Sequence, residues 1–270
     1  MASAADSLAQ ASKTGSPLIA VIDRWIYVFM AALFVVTTLA GFIPDSLGKI
    51  ALVEAGQRAP FPPVMHVHAA LMGSWLMLLL TQTTLMATGN AKYHKKLGIA
   101  SFLLAPAIIL TGLVLVPTMY GQVWDATAAA PPEMREKLRG GLAVRTDIML
   151  LQFRAGLLFA TCVVLALRAR RVDSGFHKRM IILATLVPLP ASIDRITWLP
   201  HTMPVSPLSA DLYTLLWLSP MFVWDLFRLG RVHRAYIVWF ALWLPASIAV
   251  QLLWGSDWWQ ATAPRLLGFS

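Results

Sequence analysis

Long apolar runs recur about every 30 residues along this sequence of 270 residues. Each run is long enough to cross roughly 30 Å of hydrocarbon as an α-helix that rises about 1.5 Å per residue. The composition agrees, because 58% of the residues are hydrophobic and only 13% are charged, whereas soluble domains have about 25% charged residues. The sequence therefore predicts a membrane protein. It excludes a secreted disulfide scaffold, a nucleic-acid-binding protein and a cytosolic enzyme.

Every run is interpreted as a helix, because open strands in lipid would leave their backbone groups unpaired. We expect an all-α, polytopic transmembrane bundle of seven helices over residues 24–255, with a disordered tail at 1–23 and a short periplasmic tail at 256–270. The first run lacks a strongly basic leader and is too long for a typical signal peptide. The seven predicted spans are 24–43, 64–88, 97–118, 147–167, 179–199, 208–227 and 234–255.

The distribution of Lys and Arg predicts the orientation, because positive loops are retained in the cytoplasm. Of the 22 basic residues, 13 lie on the side of the N-terminus and 7 on the other side, while Arg154 and Arg195 fall inside predicted spans. We therefore expect a cytoplasmic N-terminus and a periplasmic C-terminus in a bacterial inner membrane. The two longest loops, 44–63 and 119–146, would then be external, and the amphipathic stretch from Pro131 to Leu142 would form a short interfacial helix.

Two familiar classes of membrane protein are excluded by single residue types. Retinal proteins need a lysine for a Schiff base in the seventh span, and Tyr236 to Trp254 contains none. Membrane-embedded zinc hydrolases usually carry a closely spaced pair such as HxxxH, which this sequence lacks. Cys162 is the only cysteine, so no intrachain disulfide can form.

A histidine opens the third, fifth and seventh predicted spans at the cytoplasmic side: His94, His177 and His233. One interpretation is that they only mark the headgroup boundary beside snorkelling Lys and Arg side chains. The other is that they converge inside the bundle and bind haem iron or another metal. Proton relay or contact with a quinone is a third possibility. Asp225 is the nearest candidate anionic partner for one of them.

A second set of polar residues lies toward the external side. His66 and His68 begin the second span, two residues apart and therefore about 200° apart around a helix. Arg154 and Asp194 are deep enough to need partners, and an ion pair between them would hold the fourth and fifth spans together. Alternatively, they form a proton or quinone site with Arg195, next to a helix that Pro188 and Pro190 interrupt. The other members are Asp147, His201 and Asp211.

These motifs carry two resemblances. The runs His66-Val-His68, His94-Lys-Lys-Leu, His177-Lys-Arg-Met, Asp194-Arg195 and Asp225 to His233 resemble a family of uncharacterised bacterial seven-helix membrane proteins, which implies the fold but no reaction. The chain is less closely similar to cytochrome b561-like diheme proteins, whose haem-binding His pairs lie on alternate helices. That resemblance implies one haem held by His94 and His177. The external pair departs from the pattern: His66 or His68 could supply one cofactor ligand, but the fourth span has no histidine. This leaves His201 or a residue other than histidine as the second ligand.

The sequence therefore favours an integral membrane redox protein. In this hypothesis His94 and His177 bind one b-type haem, while the outer polar residues receive a quinone or another small electron carrier. A partner membrane or redox protein is a further expectation. The alternative is a non-enzymatic bundle, either a proton-coupled transporter of small solutes or an accessory subunit of a larger membrane complex. A transporter is expected to carry polar groups near the midplane, whereas those of this chain lie nearer the two faces.

Overall fold

The computed structural model describes residues 16–269, and this part of the chain is all-α, without a strand. Residues 1–15 of the tail expected at 1–23 lie outside the described residues. From Pro17 onward the expected tail is helical, and proline is a favoured residue in the first turn of a helix. In chain order the helices are α1 (Pro17–Glu54), α2 (Pro63–Ala87), α3 (Ala91–Leu97), α4 (Ser101–Ala129), α5 (Pro132–Ala169), α6 (Ser174–Leu186), α7 (Pro190–Ile193), α8 (Leu208–Leu229), α9 (Arg234–Leu253) and α10 (Asp257–Leu266). A short 3-10 turn, Gly98–Ala100, joins α3 to α4.

Among the described residues, five helical segments are long and apolar enough to cross a membrane. They are α1, α2, the continuous run from Ala91 to Ala129, α5 and α9. The other two predicted spans correspond to α6 with α7 and to α8. Helix α8 has 22 residues, but Asp211 and Asp225 lower its mean hydropathy.

The expected external loops are mostly helical. Helix α1 continues to Glu54, and only two residues separate the end of α4 at Ala129 from the start of α5 at Pro132. The stretch Pro131 to Leu142 is therefore the beginning of α5, not a separate interfacial helix. Both α1 and α5 have 38 residues and are about 57 Å long, which exceeds a hydrocarbon layer of about 30 Å.

Helix α6 lies at the centre of the bundle and is interrupted where the sequence predicts. It has 13 residues, too few to cross the bilayer alone. Pro188 and Pro190 lack the backbone N–H that would continue the helix, so the chain turns at Val187 and resumes as the short helix α7. Helices α1, α5, α8 and α9 pack around α6. An interrupted helix is tolerated at membrane depth when other helices shield it from lipid.

The largest buried side chains belong to the helices around this centre. Trp239 and Tyr236 of α9 are 0% and 1% exposed, and Trp239 stacks on Trp243 with ring centroids 5.2 Å apart. The indole of Trp75 donates a hydrogen bond of 3.0 Å to Thr185 and thereby links α2 to α6. Aromatic packing and the hydrogen bond between Trp75 and Thr185 both help to define the arrangement of the bundle.

The C-terminal segment forms helix α10, which packs against α5. The indole of Trp259 donates to the backbone oxygen of Thr146 at 2.7 Å. Asp147, one of the predicted outer residues, accepts from the backbone of Gly255 at 2.9 Å and from Gln260 at 2.8 Å. Asp147 therefore attaches the C-terminal segment to α5.

Candidate functional site

His94 and His177, the two predicted haem ligands, lie within electrostatic range of each other at one end of the bundle. His94 is on α3 and His177 is in the first turn of α6. His177 is partly buried, and both His94 and Arg170 lie within electrostatic range of it. The structure thus brings the two imidazoles within electrostatic range of each other.

The hydrogen bond of His177 determines which of its ring nitrogens can bind a ligand. Its Nδ1 lies 2.8 Å from the carbonyl oxygen of Ala166 on α5. A carbonyl oxygen can only accept, so Nδ1 donates the proton and Nε2 of the neutral ring keeps a free lone pair. His94 has a buried Nδ1 without a partner among the described residues. Two imidazoles with available nitrogens are the donor set that b-type haem iron takes.

His233 does not join the other two histidines, contrary to the expectation of a shared metal site. Its Nδ1 accepts from the backbone N–H of Ala235 and caps helix α9. Its Nε2 lies 3.5 Å from the position that a Cβ would take at Gly175. Gly175 precedes His177 by two residues, so His233 lies beside a different face of α6 from the one that carries His177. Within residues 16–269, no three His, Cys, Asp or Glu side chains form a group that could hold a metal ion.

Asp225 pairs with an arginine and not with a histidine. Its two carboxylate oxygens accept from Nε of Arg179 at 2.7 Å and from Nη2 at 2.6 Å. The hydroxyl of Tyr236 donates to the same carboxylate. We call Arg179, Asp225 and Tyr236 the inner ionic centre. It joins α6, α8 and α9, and both charged side chains are less than 10% exposed.

Tyr27 of α1 lies beside the inner ionic centre. It is within electrostatic range of Arg179 and Asp225, and the ammonium group of Lys178 lies 4.7 Å from the centroid of its ring. Its hydroxyl is buried and has no hydrogen-bond partner among the described residues. A polar atom in this state is uncommon in folded proteins.

Arg154 forms a second buried centre toward the other end of the bundle. Its Nη1 donates to Asp211 of α8 and, at 2.7 Å, to the hydroxyl of Ser247 on α9. The same carboxylate accepts from Ser247 at 3.2 Å and from Gln251 at 2.9 Å. We call Arg154, Asp211, Ser247 and Gln251 the outer ionic centre. It joins α5, α8 and α9.

The predicted ion pair between Arg154 and Asp194 is therefore wrong. Depth along the sequence is similar for the two residues, but depth does not determine which neighbouring helix each of them faces. The following helix, α7, packs against α1, and a Cβ on Gly41 would lie only 2.0 Å from the backbone oxygen of Ser192. This close approach places Asp194 beside α1, so Arg154 pairs with an aspartate of α8.

Asp194 and Arg195 belong to a third polar group, at the same end of the bundle as Asp45. Arg195 donates from Nε to Asp45 of α1 at 3.1 Å, and its guanidinium lies 4.5 Å from the centroid of the Phe42 ring. Lys49 reaches the same Asp45 carboxylate at 2.6 Å. Asp194 keeps a buried Oδ1 without a partner among residues 16–269. The structure thus separates the three predicted catalytic residues, with Arg154 in one group and Asp194 and Arg195 in another.

Two arginines that the sequence interpretation treated only as loop charges lie near this third group. Arg145 of α5 is within electrostatic range of Arg58, Arg195 and Asp45. The Nε atom of Arg58 is buried and has no hydrogen-bond partner in the described part of the chain. The two arginines could not be recognised from the sequence, because both lie in expected loops where basic residues are common.

His66 and His68 have different surroundings, as their spacing predicts. The ring of His66 meets Phe61 edge-on, with centroids 6.1 Å apart. The Nδ1 atom of His68 lies 3.0 Å from the hydroxyl oxygen of Thr111 on α4. His68 therefore faces the bundle and links α2 to α4, and the two histidines do not act on one ligand. His201 is exposed in the loop before α8 and lies 3.3 Å from the backbone oxygen of Met203.

Two cavities are also present. One has a volume of about 10 Å³ and is lined by Tyr120, Arg145 and Gln152 among others, which is room for about one water molecule. The other has a volume of about 290 Å³, lies between α4 and α5, and is lined mainly by apolar side chains. No histidine lines either cavity.

In comparisons with protein-family models, with curated proteins and with solved structures, the chain matches none of them. The sequence resemblances to an uncharacterised seven-helix family and to diheme proteins therefore stay predictions. The candidate site rests on the geometry of the chain itself: the neighbouring His94 and His177, and the inner and outer ionic centres.

Proposed function

We propose that this chain is an integral membrane redox protein in which His94 and His177 bind one b-type haem. The observation that supports the proposal is the position of these two imidazoles, which come from different helices and lie within electrostatic range of each other. His94 also keeps a buried Nδ1 that has no hydrogen-bond partner among the described residues.

The residues around His177 suit a haem ligand. Ligand histidines usually donate their second ring N–H to a carbonyl or a carboxylate, which fixes the orientation of the ring and raises its basicity. The backbone oxygen of Ala166 has this role for His177. When bound, haem would supply one-electron transfer.

We further propose the full topology of seven spans, with the N-terminus in the cytoplasm of a bacterial cell and the chain in its inner membrane. The 13 to 7 division of basic residues supports this orientation. Helix α8, and α6 together with α7, would be the two additional crossings. Their charges are paired inside the bundle, which makes crossing possible despite Arg179, Asp211 and Asp225.

The second candidate is a non-enzymatic bundle, and the two ionic centres favour an accessory subunit over a transporter. Asp211 and Asp225 lie on α8 at a separation of about 21 Å, at 1.5 Å per residue. Both carboxylates are already hydrogen-bonded within the chain, and neither lies at the middle of the helix. Transporters place unsatisfied groups near the midplane, so these centres are better suited to holding helices together.

The experiment is an optical spectrum of the detergent-purified protein, expressed with added haem and reduced with dithionite. We expect the α-band of a b-type haem, lost in both His94→Ala and His177→Ala and retained in His201→Ala, whose residue lies in an exposed loop. Gel filtration and thermal unfolding of each variant separate loss of haem from loss of fold. A colourless wild-type protein, or an α-band that survives both substitutions, would contradict the proposal and favour the accessory subunit.

A further inference from the structure

The cavity between α4 and α5 is an apolar groove on the outer surface of the bundle. Its volume is about 290 Å³, and its walls include Ala105 and Ile109 of α4 and Ala160, Val163 and Val164 of α5. Val164 is 52% exposed, so the groove opens to the surroundings of the protein. In a membrane those surroundings are lipid. The small alanine side chains on the two facing helices leave the space between them unfilled.

Two arginines stand at one end of this groove. Arg168 and Arg170 are both among its lining residues and both are exposed. The guanidinium of Arg170 lies 5.1 Å from the ring centroid of Phe102 on α4 and donates to the backbone oxygen of Leu167 at 2.6 Å. Arg170 therefore bridges the two helices at the end of the groove, and the aromatic contact stabilises this position.

The charge of these arginines is not neutralised by the protein. Within residues 16–269, neither Arg168 nor Arg170 takes part in an ion pair, whereas Arg154, Arg179, Arg195, Arg228 and Arg234 all do. The groove thus combines an apolar channel along the helices with a basic end near a helix terminus. This combination matches the two parts of a lipid with a negatively charged headgroup.

We propose that this groove binds an anionic phospholipid. One acyl chain lies between α4 and α5, and the phosphate contacts Arg168 and Arg170. Basic pockets between transmembrane helices recognise anionic headgroups in this manner, and each Lys or Arg near the surface contributes about 1 kcal/mol. A zwitterionic lipid or the tail of a quinone would use the apolar walls but would not need the two uncompensated cations. This inference requires only that α4 and α5 lie in a bilayer, and it is independent of the haem proposal.

The test is co-purification of lipid from bilayer nanodiscs that contain equal amounts of phosphatidylglycerol and phosphatidylcholine, measured by native mass spectrometry. We expect the wild type to retain phosphatidylglycerol preferentially. Loss of two cations corresponds to about a thirtyfold reduction in the affinity for phosphatidylglycerol relative to phosphatidylcholine. The double variant Arg168→Gln/Arg170→Gln should therefore lose the preference for phosphatidylglycerol. The matched control is Arg171→Gln, which changes the next basic residue, outside the groove lining.

A second pair of variants tests the apolar part of the site. Ala160→Phe should fill the groove and reduce the retention of lipid of either charge, while Leu103→Phe, at a residue of α4 that is 75% exposed and outside the lining, should leave it unchanged. Thermal unfolding shows that each variant is folded. Equal retention of the two lipids by the wild type would overturn the proposal. An effect of Arg171→Gln as large as that of the double substitution would do the same, because it would show only general surface attraction.

Discussion

The inner and outer ionic centres use the same charges in different geometries. In the inner centre, Arg179 donates to both oxygens of Asp225 through two different nitrogens. In the outer centre, Arg154 reaches Asp211 through Nη1 alone, and the same nitrogen also donates to Ser247. Both pairs are similarly buried, with side-chain exposures of 8% and 7% for the inner pair and 5% and 11% for the outer one.

This difference shows what each centre requires of its cation. A bidentate contact depends on the planar fork of a guanidinium, which lysine cannot reproduce. A contact through one nitrogen depends mainly on charge and is supported by neutral neighbours, here Ser247 and Gln251. We therefore expect the inner centre to fix the orientation of its helices more strictly, and the outer centre to tolerate more substitutions.

The largest expected effect is the loss of one partner from either pair. Asp225→Leu or Asp211→Leu leaves a buried guanidinium without its counter-charge, which costs about 3 to 5 kcal/mol in the free energy of unfolding. The double variants Arg179→Leu/Asp225→Leu and Arg154→Leu/Asp211→Leu should recover most of that loss. Denaturant unfolding in detergent measures both. A single variant that loses less than about 1 kcal/mol would mean that its centre is hydrated and not buried.

A smaller effect should separate the two centres directly. Arg179→Lys removes one charge-assisted hydrogen bond and should cost about 1.5 to 3 kcal/mol. Arg154→Lys keeps a single donor near Asp211 and should cost less than about 1.5 kcal/mol. The two variants are compared by denaturant unfolding under the same conditions. Equal losses, or a larger loss for Arg154→Lys, would show that bidentate geometry does not distinguish the centres.

The neutral donors provide a finer comparison. Tyr236→Phe removes the hydroxyl that donates to Asp225, and Ser247→Ala removes the one between Arg154 and Asp211. Each should cost about 0.5 to 1.5 kcal/mol by the loss of a hydrogen bond. We expect Tyr236→Phe to be the more harmful, because Asp211 keeps the amide of Gln251 as another neutral donor. The reverse order of thermal stability would indicate that the serine is the more important bridge.

The smallest expected effect is a dependence of stability on pH at the inner end. Burial lowers the pKa of His233 from its ordinary 6.5, and Arg179 and Arg231 lower it further while Asp173 and Asp225 oppose them. Below pH 6.5 the unfolded chain binds more protons at His233 than the folded chain does. The contribution of His233 to the free energy of unfolding is therefore fully present above pH 6.5 and decreases as the pH falls below this value. The variant His233→Asn keeps an acceptor to cap α9 and should show a weaker decrease between pH 7 and pH 5. A steeper decrease in the variant would contradict this assignment.

The sequence predicted the helices but not their partners. The apolar runs identify helices because their length and hydropathy follow from the thickness of the bilayer, and Pro188 and Pro190 correctly indicate the interruption after α6. Pairing depends on the direction in which each side chain points around its helix, and depth alone does not give it. For this reason the sequence does not assign Asp211 to Arg154, and it does not show that Arg179, at the edge of a predicted span, is only 6% exposed.

The loops at 44–63 and 119–146 were predicted wrongly for a related physical reason. Hydropathy reports where a helix leaves the hydrocarbon, and it does not report where the helix ends. The residues of α1 up to Glu54 and those of α5 before Leu142 are polar enough for water but remain helical. That His94 and His177 bind one haem stays a prediction, which rests on their similar predicted depth and on their electrostatic proximity.

The measurement that tests the central claim most directly is the haem content per chain of the purified wild-type protein, determined by pyridine haemochrome analysis together with amino-acid quantification. We predict one b-type haem per chain, because only His94 and His177 provide two neighbouring imidazoles, while His66, His68 and His201 have separate surroundings in the part of the chain that the structure describes. The same content is expected for His68→Ala. Two haems per chain would indicate a second site of the diheme type, and a wild-type protein without haem would contradict the proposed function.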